Sequence, residues 1–218
     1  VYAPVARMDT IITIIATAAQ RTWEVHQLDV KSAFLHGVLS EEVYVQQPKG
    51  YEVVGQENKV YRLHKALYGL KQAPRAWFSR IEEYFVKDGF TKSQNEETLF
   101  LKTEDDNTLI VSVYVDDLIY TGSSLKMMDE FKKSMKREFD MTELGKMRYF
   151  LGFEVLQTSS GIHICQSKYA LEILRRFELE NCNSVRNPMV PGSKIDIDDG
   201  GERVDETFYK QIIGSLMY

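Results

Sequence analysis

The stretch "LIVSVYVDDLIYTG" (109–122) constrains this chain more than any other. Its flanks, Leu109 to Val115 and Leu118 to Thr121, are β-branched and aromatic, so they suit a pleated, half-buried surface. Asp116 and Asp117 do not. An ionised carboxylate withdrawn from water without a partner is costly. The pair therefore has two solutions: an exposed hairpin tip, or a place against a cation. Acids are common at turns, although a tight hairpin prefers Asn-Gly or Asp-Gly, and the stretch alone leaves both solutions open.

Asp29, in "HQLDVKSAFLHG", raises the same question. It ends an alternating strand and precedes small residues and then Phe34. Alone it reads as an Asp that starts a turn or caps a helix. Taken with Asp116 and Asp117 it suggests more, because carboxylates from separate strand ends can share divalent cations. Mg²⁺ takes hard oxygen ligands and keeps positions open for substrate phosphates. Two such ions about 3.5–4 Å apart serve phosphoryl transfer, a reaction that needs positioning and charge stabilisation and little covalent help.

The rest of the chain sets the frame. With 218 residues, 44% apolar and 27% charged, it has enough material for a sizeable core and one or two domains. Cys165 and Cys182 form neither a disulfide framework nor a metal-like cluster, so a reducing, intracellular setting is expected. The apolar run Ile11–Ala19 is broken by Thr13 and Thr17 and is too short to span a bilayer. Net charge is −5, which argues mildly against nucleic acid. Yet Lys59, Arg62, Lys65, Lys71, Arg75 and Arg80 form a basic run with no acid among them, and a local basic surface binds phosphates whatever the sum. The opening "VYAPVARM" and the closing "IIGSLMY" suggest a slice of a longer polypeptide.

Periodicity predicts a helix over 8–20, capped by Asp9 or Thr10, with Ile11, Ile12, Ile15, Ala16 and Ala19 on one face. It predicts strands at 24–30 and 41–47, and over 59–69 a strand leading into a turn. A helix is expected over 72–90 with Trp77, Ile81, Tyr84 and Phe85 inward, Pro74 in its first turn and Gly89 at its end. Beyond the hairpin region, a basic helix over 124–138 points Leu125, Met128, Phe131 and Met135 inward. Two strands in 147–166 are joined by Ser-Ser-Gly, and Ser167 caps a helix to about Phe177. Residues 186–206 read as a linker. Mixed elements without strict βαβ alternation predict an α+β fold, an antiparallel sheet backed by helices.

Several other signals lead nowhere. "DIDDGG" (196–201) starts like a calcium loop but has Gly200 and Thr207 where ligands are needed. His163 and Cys165 lack further zinc ligands nearby. His26, His36 and His64 have no nucleophile arrangement.

Taken in order, "QLDVKSAFLHG", "ALYGLKQAPRAW", "YVDDLIYTG" and "FLGFEV" resemble the reverse transcriptase of copia-type LTR retrotransposons, across essentially the whole chain. The resemblance implies an RNA-directed DNA polymerase that uses an RNA template, a DNA primer and a dNTP, with Mg²⁺ or Mn²⁺ as cofactor. It implies palm and partial fingers over 1–146, a primer-grip hairpin and first thumb helix over 147–185, and a linker with the start of a further segment over 186–218. Asp29 and Asp116 match the metal-binding aspartates, and Asp117 supports the metal site. Phe34 falls at the gate beneath the incoming sugar, where a ring clashes with a ribose 2′-hydroxyl. Backbone N–H groups from Val30 to Ala33 would cradle the triphosphate. Tyr68, Gly69 and Lys71 would line the pocket, and Leu151 and Gly152 would grip the primer. Lys146 is aligned loosely with a lysine that protonates pyrophosphate. RNase H and integrase domains are expected in the parent polyprotein, and a cytoplasmic virus-like particle as the setting. The family carries a basic fingers segment upstream of "APVARM", which Arg7 and Arg21 alone do not replace. The alternative reading is therefore an inactive remnant that binds nucleic acid weakly. A phosphohydrolase is a further alternative but lacks an evident water-activating base.

Overall fold

The computed structural model describes residues 3–189, 192, 200–201 and 203–217. Its first helix, α1 (Met8–Arg21), has Arg7 at the N-cap position, with no side-chain cap. Asp9 falls inside the first turn, where a negative charge suits the helix dipole. The buried stripe is Ile11, Ile14, Ile15 and Ala18, whereas Ile12 and Ala16 face outward, so the apolar face is rotated from the expected one. Thr13 and Thr17 hydroxyls donate to the carbonyls of Asp9 and Thr13, at 2.7 and 2.8 Å, which satisfies them within the helix.

Strand β1 (His26–Val30) follows, then a 3₁₀ turn (Ala33–His36) and the β2 (Val38–Gln46) and β3 (Val60–Lys65) hairpin. Helix α2 (Ala73–Lys87) leads to β4 (Thr91–Lys92), β5 (Leu99–Glu104), β6 (Asn107–Tyr114) and β7 (Asp117–Gly122). Helix α3 (Leu125–Glu138) precedes β8 (Met141–Lys146), a strand the sequence pattern did not reveal. The six-stranded antiparallel sheet runs β4-β5-β6-β7-β1-β8, with β1 second from one edge.

One face of this sheet packs on α2 and α3. Leu28, Val30, Val111, Val113, Leu118 and Tyr120 meet Trp77, Phe78, Ile81 and Phe85 from α2 and Met127, Met128, Phe131 and Met135 from α3. Burying each such side chain stabilises by roughly 1.5–3 kcal/mol. Leu125, expected inward, is exposed and Met127 takes its place, because the helix begins only at Leu125. Ile119 and Thr121 alternate to the other face and are also buried. There α1 lies against β7, and the Thr121 hydroxyl donates to the Glu24 carbonyl at 2.9 Å.

The chain divides into two compact units, Val1–Arg148 with Val155–His163, and Tyr149–Glu154 with Ile164–Tyr218. Residues 155–163 thus belong to the first unit although 149–154 do not. The single expected strand from 147 is interrupted: β9 (Tyr149–Phe150) turns at Leu151-Gly152 into β10 (Phe153–Thr158), and β11 (Gly161–Cys165) completes a three-stranded sheet. Leu151 and Gly152 both have positive φ, 47° and 81°, as a two-residue primed turn demands.

In the second unit, α4 (Ser167–Arg176) has Gln166 at its N-cap, so Ser167 is the first helical residue rather than the cap. The Lys168 N–H donates instead to the Glu154 carboxylate at 2.8 Å. Helix α5 (Glu206–Leu216) begins where the expected linker ends, and the Asp205 carboxylate caps it by accepting from Thr207 and Phe208 N–H. Of "DIDDGG", residues 196–199 lie outside the described residues. Among the described residues no helix is long and apolar enough to cross a membrane.

Candidate active site

The β6–β7 hairpin closes on the pair Tyr114–Asp117, so its turn is Val115-Asp116. Only one of the two acids is therefore at the tip. Asp116 is exposed there, whereas Asp117 opens β7 and is half-buried. Val115 has φ 56°. A β-branched residue in the left-handed region is strained, at a cost of about 1–3 kcal/mol, and the turn persists because both its carbonyls are held. The Trp77 indole N–H donates to the Val115 carbonyl at 2.6 Å, and the Val30 N–H donates to the Asp116 carbonyl at 2.9 Å.

Strand β1 pairs with β7 so that Asp29 stands directly opposite Asp117, Leu28 opposite Leu118 and Gln27 opposite Ile119. Directly opposed residues share a face. Asp29 and Asp117 thus project together, away from the α2–α3 core to which Leu28 and Leu118 belong. Gln27, two residues before Asp29 on the same face, is buried, and its Nε2 donates to Asp117 Oδ1 at 2.9 Å. This crowding sets the electrostatics. The Asp29 carboxyl is raised above the ordinary carboxylate range by burial and then by the Asp116 charge, with Lys31 opposing. The Asp117 carboxyl is raised by burial and by Asp116 and Asp29, while the Gln27 hydrogen bond pulls it back.

Crowded carboxylates of this kind fit a divalent cation, which relieves their mutual repulsion. Among the described residues no three His, Cys, Asp or Glu side chains already stand as a chelate.

Beside Asp116 opens a cleft of about 540 Å³ lined by Ser32, Ala33, Phe34, Leu35, Leu67, Tyr68 and Val115, within the size range of small-ligand pockets. The Phe34 and Tyr68 rings stack across it, centroids 6.0 Å apart, and Tyr68 is almost wholly exposed. Val30 is not on this wall. It is buried, its N–H is committed to Asp116 and the Lys31 N–H to the Asp140 carbonyl, so neither is available to a phosphate. The backbone that lines the cleft next to Lys31 is that of Ser32, Ala33 and Phe34, with Ser32 itself left-handed at φ 51°.

Gly69 turns the chain after Tyr68 at φ 90°, a conformation that favours glycine. Lys71 and Arg75 are exposed at the entry to α2 and do not line the cleft. Lys146 pairs with the Glu24 carboxylate at 2.6 Å and stands opposite His26, at the end of β1 away from Asp29. That position removes the loose alignment with a pyrophosphate-protonating lysine. Leu151 and Gly152 form their turn in the second unit. Gln27 and Trp77 were missed as site residues, Trp77 being read only as part of a buried stripe. Only Gln27 left a signal in the sequence, its two-residue spacing from Asp29 on a strand.

The comparisons with known proteins agree with this geometry. The family model described as reverse transcriptase (RNA-dependent DNA polymerase) matches residues 1–191. The chain is 35% identical over 217 residues to the retrovirus-related Pol polyprotein from transposon RE1 of Arabidopsis thaliana, covering 100% of this chain and 15% of that protein. It is 35% identical over 228 residues to the retrovirus-related Pol polyprotein from transposon TNT 1-94 of Nicotiana tabacum, covering 100% of this chain and 17% of that protein. To the transposon Ty1-DR1 Gag-Pol polyprotein of Saccharomyces cerevisiae it is 27% identical over 218 residues, with 94% of this chain and 12% of that protein covered. It thus spans less than a fifth of these polyproteins. With the family model matching residues 1–191 and relatives aligned along its whole length, the chain belongs to the reverse transcriptase family of copia-type retrotransposon Pol polyproteins.

Proposed function

We propose that this chain catalyses template-directed nucleotidyl transfer, in which a primer 3′-hydroxyl attacks the α-phosphate of a dNTP and pyrophosphate leaves. The observation that supports the reading is Asp29 standing opposite Asp117 on one sheet face, with the Asp116 charge near enough to raise both carboxyls. Asp29 and Asp116, with Asp117 in support, would hold two Mg²⁺ or Mn²⁺ ions. When bound, these ions stabilise charge on the attacking and leaving oxygens.

The chain's own residues do the rest. N–H groups of Ser32, Ala33 and Phe34 face the phosphates. Phe34 rejects a ribose 2′-hydroxyl, and Tyr68 covers the open side of the cleft. Gly69 gives the backbone room to turn toward the nucleotide. Lys71 and Arg75, charged and exposed, meet template phosphates. Leu151 and Gly152 contact the primer end. On this reading 1–146 act as palm and partial fingers, 147–185 as primer grip and first thumb helix, and 186–218 as a linker with the start of a further segment. RNA template and DNA primer are the partners, RNase H and integrase domains accompany the chain in its polyprotein, and a cytoplasmic virus-like particle is the setting.

Primer extension on an RNA template with Mg²⁺ and dNTPs tests the proposal. Extension by the parent chain, falling by about 10²-fold or more in Asp116→Asn, is expected from loss of a group that stabilises transition-state charge. Equal extension by the variant overturns the assignment of Asp116. No extension by the parent, at full folding, favours the inactive remnant.

A further inference from the structure

We infer that Trp77 is a positioning residue of this site: its indole N–H holds the Val115 carbonyl and so keeps the strained turn that presents Asp116. The inference rests on the nucleotidyl-transfer reading for its effect on rate, but not for the lock itself. Val115 sits at φ 56°, where a β-branched side chain does not stay unless its surroundings hold it. Two hydrogen bonds do so. The bond from Val30 N–H to the Asp116 carbonyl is backbone to backbone, and any residue but proline at position 30 can make it. The bond from Trp77 Nε1 to the Val115 carbonyl, 2.6 Å, depends on one side chain.

That side chain is built to aim. Trp77 is 1% exposed. The Phe139 ring meets it edge-on at 5.4 Å and 84°, and His36 lies 5.9 Å away. The α2 backbone behind it is seated against Gly37, where an added Cβ would stand 2.7 Å from the Ala76 carbonyl carbon and the Trp77 nitrogen. The helix therefore cannot shift closer to Gly37. Indole has a single donor and no acceptor, so a phenyl ring in the same slot supplies packing and nothing for Val115.

Trp77→Phe in the full chain separates the two roles. Single-nucleotide incorporation should lose at least about tenfold in kcat with KM for dNTP changed less than about threefold, because the Phe34 and Tyr68 walls of the cleft stay in place. The same substitution in the Val115→Gly background should cost less than about threefold, since glycine adopts a positive φ without strain. Exchange of the 115–118 amides, read without reference to activity, should accelerate about tenfold in Trp77→Phe and little elsewhere in the sheet. Where Phe leaves too large a gap to fold, benzothienylalanine at position 77 keeps the ring size and removes the N–H. A kcat within twofold of the parent, an equal loss in both backgrounds, or unchanged turn exchange each overturns the inference. A parent chain without extension but with accelerated turn exchange in Trp77→Phe keeps the lock and refutes only the nucleotidyl-transfer reading.

Discussion

Replacing Gln27 by Leu removes one hydrogen bond from the carboxylate cluster while nearly preserving side-chain size. Gln27 is buried and its Nε2 lies 2.9 Å from Asp117 Oδ1. A hydrogen bond to a charged group contributes roughly 1.5–3 kcal/mol. Asp117 is only half-buried, so water recovers part of the loss, and Leu gains some apolar burial beside Ile119. A net cost of about 1–2 kcal/mol is expected at neutral pH in EDTA, a fall in Tm of roughly 2–8 °C for a chain of this length. The pH dependence identifies the cause. Gln27 favours the ionised form and holds the Asp117 carboxyl lower than burial, Asp116 and Asp29 would set it. Without Gln27 the folded-state carboxyl rises further. The cost is therefore complete above the raised Asp117 value and fades as pH falls toward the ordinary 3.8, where the group is protonated in both proteins. Thermal melts followed by circular dichroism across that range measure it. A Tm deficit that does not vary with pH, or no deficit at neutral pH, refutes the reasoning.

The remaining expectations rest on the same frame. Asp29 is an acid whose folded-state carboxyl is raised above 3.8 by burial and by Asp116. The stability tied to its proton is present below 3.8 and is lost as pH rises through the raised value. Asp29→Asn should therefore melt above the parent at neutral pH in EDTA, and the advantage should vanish below pH 3.8. Gly37→Ala places a Cβ 2.7 Å from α2 backbone atoms, and overpacking of that kind costs about 1–3 kcal/mol. A lower denaturant midpoint is expected, with an unchanged midpoint as the contrary result.

Particular residues show what the sequence could reveal. The β-branched run flanking Asp116-Asp117 announced two strands, and the amphipathic stripe of Trp77, Ile81, Tyr84 and Phe85 announced the helix behind them. These patterns are local and repeat with a fixed period. The sheet order was not legible, since nothing local records that β1 inserts between β7 and β8. Nor was the one-residue shift that places Asp116 at the tip and Asp117 on β7, because Val115 adopts a conformation its own propensity opposes and tertiary hydrogen bonds override it. The inward face of α1 was misread for a related reason: Ile11, Ile12, Ile14 and Ile15 satisfy more than one helical stripe, and only packing chooses. Leu125 failed because the helix start fell at that residue. Of the residues that short motifs pick out, Phe34, Tyr68 and Asp116 line one cleft, and Asp29 stands opposite Asp117 on β7. Val30 and Lys146 drop away because their N–H and ammonium groups are already engaged elsewhere.

Counting divalent ions tests the central claim most directly. Mn²⁺ is titrated by electron paramagnetic resonance into the chain with an RNA template, a dideoxy-terminated primer and the matching dNTP. Two bound ions per parent chain, with at least one lost in both Asp29→Asn and Asp116→Asn, are the predicted result. Unchanged stoichiometry and affinity in both variants would contradict the account.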